Sequence, residues 1–253
     1  MSPNASLRAL RSSLLATLLA GGMLRAAPSS AQEGPPPDRA GVWLGAGVVL
    51  ASAFLLDEGI RTTAPPAGGT ELTSLTDPLN RLGNPKYLVP ALAAGYAGGR
   101  LAGSQGVASS SLHVFAALLA SGVANGTLKY AVGRQRPAGG DATSFRPFAA
   151  ENRWQSFPSG HAVVAFSIAT SLSQEAGRPW VTVLSHATAG AVGWSRVYRD
   201  KHWTSDVVGG ALLGHLSSRA TLRLVHRLAP HGEGQPPVVS LSPNGVRVHI
   251  PIR

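Results

Sequence analysis

The stretch "SFPSGHAVVAFSIA", residues 156–169, passes within a few positions from a loop into an apolar helix. Pro158 stands at the start of this helix, where proline is favoured. The opening turn of a helix presents free backbone N–H groups, which form a ready anion site. Gly160 permits close approach to the backbone, the Ser159 hydroxyl is a further donor, and His161 is held just inside the helix. On these residues alone, an anion site and a simple N-cap followed by a helix are equally open interpretations.

Apolar segments rich in alanine and leucine lie on both sides of this stretch. They are longer than typical strands and therefore favour helices. The segments cover about 40–56, 87–99 and 107–128, and three more begin near 159, 179 and 206. We predict an all-α fold, a bundle of about six Ala/Gly-rich helices, with irregular polar connections over 57–85 and 131–157.

The C-terminal tail has a different pattern from the helical segments. Residues 238–250 alternate apolar and polar side chains around a Pro-Asn-Gly sequence. This alternation predicts a short β-hairpin, and a disordered tail is the alternative.

Composition limits the classes of function that the chain can serve. Its 253 residues suffice for one domain with its own core, and only 13% are charged, fewer than in most soluble domains. The net charge of +10 indicates attraction to phosphate or anionic lipid, unless it only reflects a bias toward arginine. No nucleic-acid-binding module is recognisable, so we expect no nucleic-acid partner. With no cysteine, the chain cannot use disulfides, thiol catalysis or cysteine-ligated zinc.

The N-terminus has the pattern of an export signal. Arg8 and Arg11 precede the apolar run "LLATLLAGGML", and Ser29 and Ala31 occupy the small-residue positions of a cleavage site. We predict a secretory signal that directs the chain to the cell envelope, with an uncleaved anchor as the alternative. The predicted organisation is a signal peptide over 1–31, a linker over 32–41, a helical domain over 42–230 and a tail over 231–253.

The relation of the helices to a membrane is open at this point. A membrane span needs about 20 apolar residues. Several of the apolar runs are shorter, and His113, His186 and His215 interrupt them. A bundle that spans the membrane and an exported bundle that is soluble or lies on the membrane both fit the pattern.

The histidines divide into two groups. His161 and His202 lie in polar blocks and are candidates for chemistry. Three of the others are predicted to be hydrogen-bonded within helices, which are His113, His186 and His215. The last three are predicted to be solvated, which are His226, His231 and His249. We predict no metal ligands in the chain.

A second polar block, "KYAVGRQRP", covers residues 129–137. Lys129 and Arg136 are seven positions apart, close to two helical turns, so both cations are expected to project to one side. Basic residues at the end of a helix are also favoured by its dipole, and this block alone is weak evidence of a site.

A third polar block, "SRVYRDKHWTSD", covers residues 195–206. His202 and Asp206 are four positions apart, either neighbours on a helix or joined across a helix start. A carboxylate that accepts the Nδ1 proton of a histidine leaves Nε2 free as an oriented base or nucleophile. Arg196 adds a forked donor suited to phosphate.

Together the blocks supply two histidines, three cations, one carboxylate and a helix N-terminus. A phosphoryl-transfer transition state needs donors around its equatorial oxygens, an in-line nucleophile and an acid for the leaving oxygen. No group of acidic residues accompanies the blocks, so arginine and lysine would carry the charge in place of Mg²⁺. The residues therefore predict metal-independent phosphoryl transfer.

The three blocks resemble the signature of the type 2 phosphatidic acid phosphatase and vanadium haloperoxidase superfamily. That signature reads Lys-x6-Arg-Pro, Pro-Ser-Gly-His and Ser-Arg-x5-His-x3-Asp, and every position is matched in order. The resemblance covers about 107–225. It implies a helical bundle acting on phosphatidate, polyprenyl pyrophosphates or small phosphomonoesters, with no metal cofactor.

The resemblance also implies a role for each matched residue. His202 attacks phosphorus to form a phosphohistidine, Asp206 orients it, and His161 protonates the leaving oxygen and later activates water. The phosphate oxygens are bound by the remaining signature residues, Lys129, Arg136, Ser159, Gly160 and Arg196.

Two other functions remain as alternatives. Vanadate can occupy the same oxyanion cage, which would make the chain a vanadate-dependent haloperoxidase. The chain would otherwise be a non-catalytic envelope protein that binds anionic headgroups. The loop over 138–156, with Arg146 and Arg153, is the expected determinant of substrate choice.

Overall fold

The computed structural model describes residues 39–63, 70–228, 238–242 and 245–249. The chain divides into two units, residues 1–42 and 43–253, and the predicted signal segment lies outside the described residues. The all-α prediction is confirmed. The described part contains seven α-helices, which are α1 Arg39–Thr63, α2 Thr70–Leu82, α3 Pro85–Leu101, α4 Gln105–Val132, α5 Gly160–Ala176, α6 Pro179–Tyr198 and α7 Thr204–Leu228.

Helix α2 occupies part of the segment that was predicted to be an irregular connection. The frequent threonine, proline and asparagine residues of 57–85 suggested a loop, but leucines recur there at helical spacing. Leu79 packs against the buried cluster of α5 and α6, and Thr76 is fully buried. Tertiary burial of one helix face therefore outweighs the low helix propensity of the segment.

Helix α5 forms the centre of the bundle. It packs against α4, α6 and α7, and eight of its residues are buried. Contact with α7 depends on small residues, because a Cβ added at Gly210 would lie 2.7 Å from the backbone oxygen of Ser159. This close approach brings the second turn of α7 against the start of α5.

Helix α4 ends close to residue 131, where the sequence predicted the second polar connection to begin. The helix stops at Val132 because Gly133 adopts a left-handed conformation with φ 59° and caps it. Arg136 therefore lies in the following loop and does not continue the helix that carries Lys129. The loop contains one short 3-10 helix, Asn152–Trp154, before α5 begins.

The C-terminal segment contains two strands, β1 Val238–Ser242 and β2 Gly245–His249. They pair antiparallel, with Val238 opposite His249 and Ser242 opposite Gly245. Two consecutive strands paired in this way form a β-hairpin, the structure that the alternation of apolar and polar residues favours.

Two helices are long and apolar enough to cross a membrane by length and composition, Trp43–Thr63 within α1 and Gln105–Val132, which is α4. Most of α1 is also exposed in the isolated chain: Trp43 is 58% exposed and Leu55 86%. Side-chain contacts that join α1 to the bundle are made near its C-terminal end. There Phe54 contacts the ring of Phe157, and Arg61 pairs with Asp200 at 3.0 Å.

A buried ion-pair network joins α1 to the loop after α4 and to α7. Arg134 is completely buried and donates to Asp57 Oδ2 at 2.8 Å and to Asp206 Oδ1 at 2.9 Å. It also donates to the hydroxyl of Ser205 at 2.6 Å, and the aromatic ring of Phe54 lies 4.5 Å from its guanidinium carbon. Removal of one partner from a buried network leaves an uncompensated charge, so these elements are held together by a cooperative contact.

We expect Arg134→Ala to lower the free energy of unfolding by about 3 to 5 kcal/mol, because Asp57 and Asp206 would remain buried without their cation. Chemical denaturation followed by circular dichroism measures this change. The matched control is Arg146→Ala, which breaks the exposed pair with Glu151. That change should cost no more than about 1 kcal/mol. Equal effects of the two substitutions would show that the buried network does not stabilise the fold.

Candidate functional site

The three polar blocks meet at one end of the bundle. Lys129 Nζ donates to the backbone oxygen of Gln155 at 2.7 Å, and Arg136 Nη2 donates to the same oxygen at 3.4 Å. The Lys129 side chain also lies beside Gly160 at the start of α5. The two cations therefore converge as predicted, although a loop, and not a shared helix, brings them together.

The opening turn of α5 is oriented by α7. The backbone N–H of Ser159 donates to the backbone oxygen of Asp206 at 2.9 Å. Ser159 occupies the N-cap position, but its side chain makes no capping hydrogen bond. Its Oγ is buried and has no partner among the described residues. Since the hydroxyl is not used to cap the helix, the anion-site interpretation of this turn is favoured over a simple N-cap.

His202 and Asp206 lie across the start of α7. Asp206, in the first turn, accepts the backbone N–H of Trp203 at 2.9 Å, half of a capping box. Its Oδ2 lies 3.5 Å from His202 Nδ1, which forms no closer hydrogen bond among the described residues. The hydroxyl of Ser156 donates to the same Oδ2. Asp206 is therefore fixed by its neighbours independently of His202.

The tautomer of His202 follows from its contact with Arg136. Arg136 Nη1 lies 3.4 Å from His202 Nε2, and an arginine only donates, so Nε2 must accept and carry a lone pair. The proton of the neutral ring is then on Nδ1, which faces the carboxylate of Asp206. This tautomer leaves Nε2 as the reactive atom, on the side of the basic residues.

Burial keeps both site histidines neutral when no anion is bound. For His202, burial lowers the pKa to about 3; Asp206 opposes this shift, and the charges of Lys129 and Arg136 add to it. For His161, burial and then the charges of Arg196, Lys129 and Arg136 lower the pKa to about 4. The positive field of the site thus acts on both rings.

Arg196 completes the set of predicted residues at the site. It is 8% exposed, Nη1 donates to the side-chain oxygen of Asn80 in α2, and Nε has no partner among the described residues. The Nε2 atom of His161 is likewise buried and unpartnered there. Three signature residues therefore have buried polar atoms without a hydrogen-bond partner in the described part of the chain, which are Ser159 Oγ, His161 Nε2 and Arg196 Nε. Most buried polar atoms in proteins have partners, so this group indicates a ligand-binding centre.

Several residues that shape the site were not identified from the sequence. Arg134 lies inside the second polar block, two positions before Arg136, and Asp57 follows an apolar run; nothing else in the sequence indicated their role. Gln155 and Ser156 contribute a backbone oxygen and a hydroxyl. Trp203, which directly follows His202, is 1% exposed and packs inside.

Comparison with known proteins agrees with the geometry. The model of the PAP2 superfamily matches residues 110–230. Lipid A 1-phosphatase of Porphyromonas gingivalis is 32% identical over 171 residues, which cover 64% of this chain and 33% of that protein. The enzyme of the same name from Rhizobium johnstonii is 34% identical over 131 residues, covering 47% of this chain and 52% of that protein. The chain thus spans about a third to a half of the length of these relatives.

Two solved structures share the fold. The transmembrane PAP2-type phosphatidylglycerolphosphate phosphatase from Bacillus subtilis aligns with a TM-score of 0.57 and 24% identity, over 74% of this chain and 96% of that one. Aquifex aeolicus LpxE aligns with a TM-score of 0.51 and 24% identity, over 69% and 94%. The matched segment 110–230 contains all three signature blocks. Through this segment, which is just under half of its length, the chain is similar to members of the PAP2 superfamily.

Proposed function

We propose that the chain is a metal-independent phosphatase that hydrolyses lipid phosphates through a phosphohistidine at His202. The observation that carries this proposal is the position of His202 Nε2. Its lone pair faces Arg136 at 3.4 Å, beside a group of buried donors without protein partners. A phosphate that enters this site meets a nucleophile and its counter-charges together.

The first step would transfer the phosphoryl group to the enzyme. The lone pair of His202 Nε2 forms a bond to phosphorus, and the bond from phosphorus to the leaving oxygen breaks. His161 gives its Nε2 proton to that oxygen. The Nδ1 proton of His202 stays in place and faces Asp206, whose negative charge stabilises the ring as it becomes positive.

The second step would release phosphate. His161, now neutral, removes a proton from a water molecule, and the resulting hydroxide attacks phosphorus. The bond between phosphorus and Nε2 breaks, which returns neutral His202 and leaves His161 protonated for the next cycle. Each step uses the same two histidines in opposite roles.

The phosphate oxygens would be held by cations and by the first turn of α5. Lys129, Arg136 and Arg196 supply positive charge, and Ser159 Oγ and the Gly160 N–H supply directed donors. The carboxylates of Asp57 and Asp206 are already bound to Arg134 and to hydroxyl groups. Because these carboxylates already bind Arg134 and hydroxyl groups, their contacts support a reaction that needs no divalent cation at the phosphate.

We expect His202→Ala to lower kcat by about 10⁴-fold or more, because both steps pass through Nε2. Phosphate release from a lipid phosphate in detergent, with and without a chelator, measures this effect. Activity of the unaltered chain should persist with chelator present. His186→Ala is the matched control, since His186 lies on α6 and contacts Thr182. Undiminished turnover in His202→Ala would reject the phosphohistidine mechanism.

The pH dependence of activity should show the pKa of His161. As a general acid, His161 acts only when protonated, so kcat/KM of the free enzyme should fall as pH rises above about 4. A bound phosphate dianion offsets the cations that lower this pKa, and kcat should therefore persist to higher pH than kcat/KM. Steady-state profiles measure both parameters. If His161→Asn retains the same loss of kcat/KM above pH 4, another group is the acid.

A lipid substrate is supported by the apolar surface beside the site. Tyr130 and Phe148 contact each other at 5.6 Å between ring centroids and are 49% and 65% exposed. Tyr130 follows Lys129 directly, so this pair lies at the site end of α4. Together with the exposed apolar surface of α1, these rings fit a membrane-associated enzyme. We place the site at the outer face of the envelope, in agreement with the predicted export signal. The names of the relatives also indicate lipid phosphates as substrates.

We expect Phe148→Ala to lower kcat/KM for a lipid phosphate by about tenfold, because an apolar contact with the acyl chains is lost. The value for a soluble aryl phosphate should not change. Assays with lipid A, phosphatidylglycerol phosphate and the aryl ester distinguish these classes. Trp180→Ala is the control, since Trp180 is 65% exposed at the other end of the bundle. Equal losses for lipid and soluble substrates would contradict the lipid proposal.

A further inference from the structure

A second cluster of polar side chains lies at the end of the bundle away from the signature residues. It consists of His113 in α4, Glu175 in α5 and His226 in α7. Their potential ligand atoms all lie within 4.8 Å of one another. His113 Nδ1 is 3.0 Å from Glu175 Oε1, and His226 Nε2 is 3.6 Å from the same oxygen.

The cluster is separate from the phosphate site. His113 and Lys129 are on the same helix, sixteen positions apart, which corresponds to about 24 Å along the axis. Glu175 is fourteen positions from His161 on α5, or about 21 Å. Three of the four helices that carry the phosphate site, α4, α5 and α7, therefore also carry this cluster, at their opposite ends.

Glu175 is oriented for contact with both imidazoles. The hydroxyl of Ser110 donates to Glu175 Oε2 at 2.6 Å, which leaves Oε1 facing His113 and His226. A hydrogen bond to the second carboxylate oxygen is the kind of outer contact that holds a metal ligand in place. The Glu175 side chain is 15% exposed, so its carboxylate is not a freely solvated surface group.

The distances suit a small tetrahedral cation. Around zinc, with bonds of about 2.0 to 2.2 Å to nitrogen and oxygen, neighbouring ligand atoms are about 3.3 Å apart. The observed separations of 3.0 and 3.6 Å from Glu175 Oε1 lie on either side of that value. The rings of His113 and His226 meet edge to face, with centroids 5.3 Å apart, so both can direct a nitrogen to one point.

We propose that His113, Glu175 and His226 bind one Zn²⁺ ion. Two imidazole nitrogens and one carboxylate oxygen form a ligand set used by zinc, whereas Ca²⁺ and Mg²⁺ favour oxygen ligands. The His226 side chain is 55% exposed, so solvent can reach the centre and water can supply the fourth ligand. The ion would connect α4, α5 and α7 at the ends that lie away from the phosphate site. It would take no part in phosphoryl transfer.

This proposal differs from the sequence-based prediction for the two histidines. His113 was expected to be hydrogen-bonded within a helix and His226 to be solvated. His113 does contact Glu175, but helix packing also brings His226 to the same carboxylate. No local spacing connects residues 113, 175 and 226, so the sequence carried no metal-binding motif.

Zinc titration of the full chain tests the proposal. The protein, purified with a tag that contains no histidine and stripped with chelator, is titrated with ZnCl₂ by calorimetry. We expect about one Zn²⁺ per chain with micromolar or tighter affinity, and a higher Tm with zinc than without. Co²⁺ at the same site should give the intense visible absorption of four-coordinate cobalt with nitrogen and oxygen ligands.

Variants connect the binding to the three residues. Glu175→Gln preserves the size of the side chain and should weaken zinc binding at least tenfold, as should His113→Ala; circular dichroism verifies that each is folded. His186→Ala, which removes a histidine outside the cluster, should bind zinc like the unaltered chain. Absence of stoichiometric binding, or unchanged binding in Glu175→Gln, would overturn the proposal and leave an ion-pair cluster. Because the measurements are affinity, Tm and spectrum, they do not depend on phosphatase activity.

Discussion

The guanidinium of Arg134 lies between two buried carboxylates, and the arrangement of the phosphate site depends on this one cation. Its bonds to Asp57 and Asp206 join α1, the loop after α4 and the start of α7. A buried charge is tolerated only when its partners are correctly placed, so these segments are fixed together. The same carboxylate of Asp206 faces His202, and the stability of the bundle and the orientation of the reactive ring thus have a common cause.

The other three cations of the site differ from Arg134, because carboxylates do not neutralise them. Lys129 and Arg136 donate to backbone oxygens, and Arg196 donates to an uncharged amide, so none of these hydrogen bonds is with a carboxylate. Burial lowers the pKa of His161 and these three cations add to that shift, whereas at His202 only Lys129 and Arg136 add to the lowering of the pKa by burial. An incoming phosphate would supply the missing negative charge. Donors that are already in place before a substrate binds need no reorganisation during the reaction, which is the basis of electrostatic catalysis.

The bundle has a cluster of polar side chains at each end and apolar packing between the two clusters. Along α5, His161 begins the helix and Glu175 stands near its end, with the buried residues between them. Helix α4 runs antiparallel to α5 and α7 runs parallel to it, so each end of α5 meets partners that are distant in sequence. The glycines of α7 permit this packing, since a side chain at Gly210 would collide with Ser159.

The sequence by itself determined the helical class, the approximate helix starts and the eight predicted site residues, because these depend on periodicity and on short spacings. It did not identify α2, whose helix is stabilised by burial against α6. The partnership of Arg134 with Asp57, across 77 positions, and the convergence of His113, Glu175 and His226 were decided only by the tertiary structure. Such contacts depend on which helix faces meet, and no local pattern of residues encodes that choice.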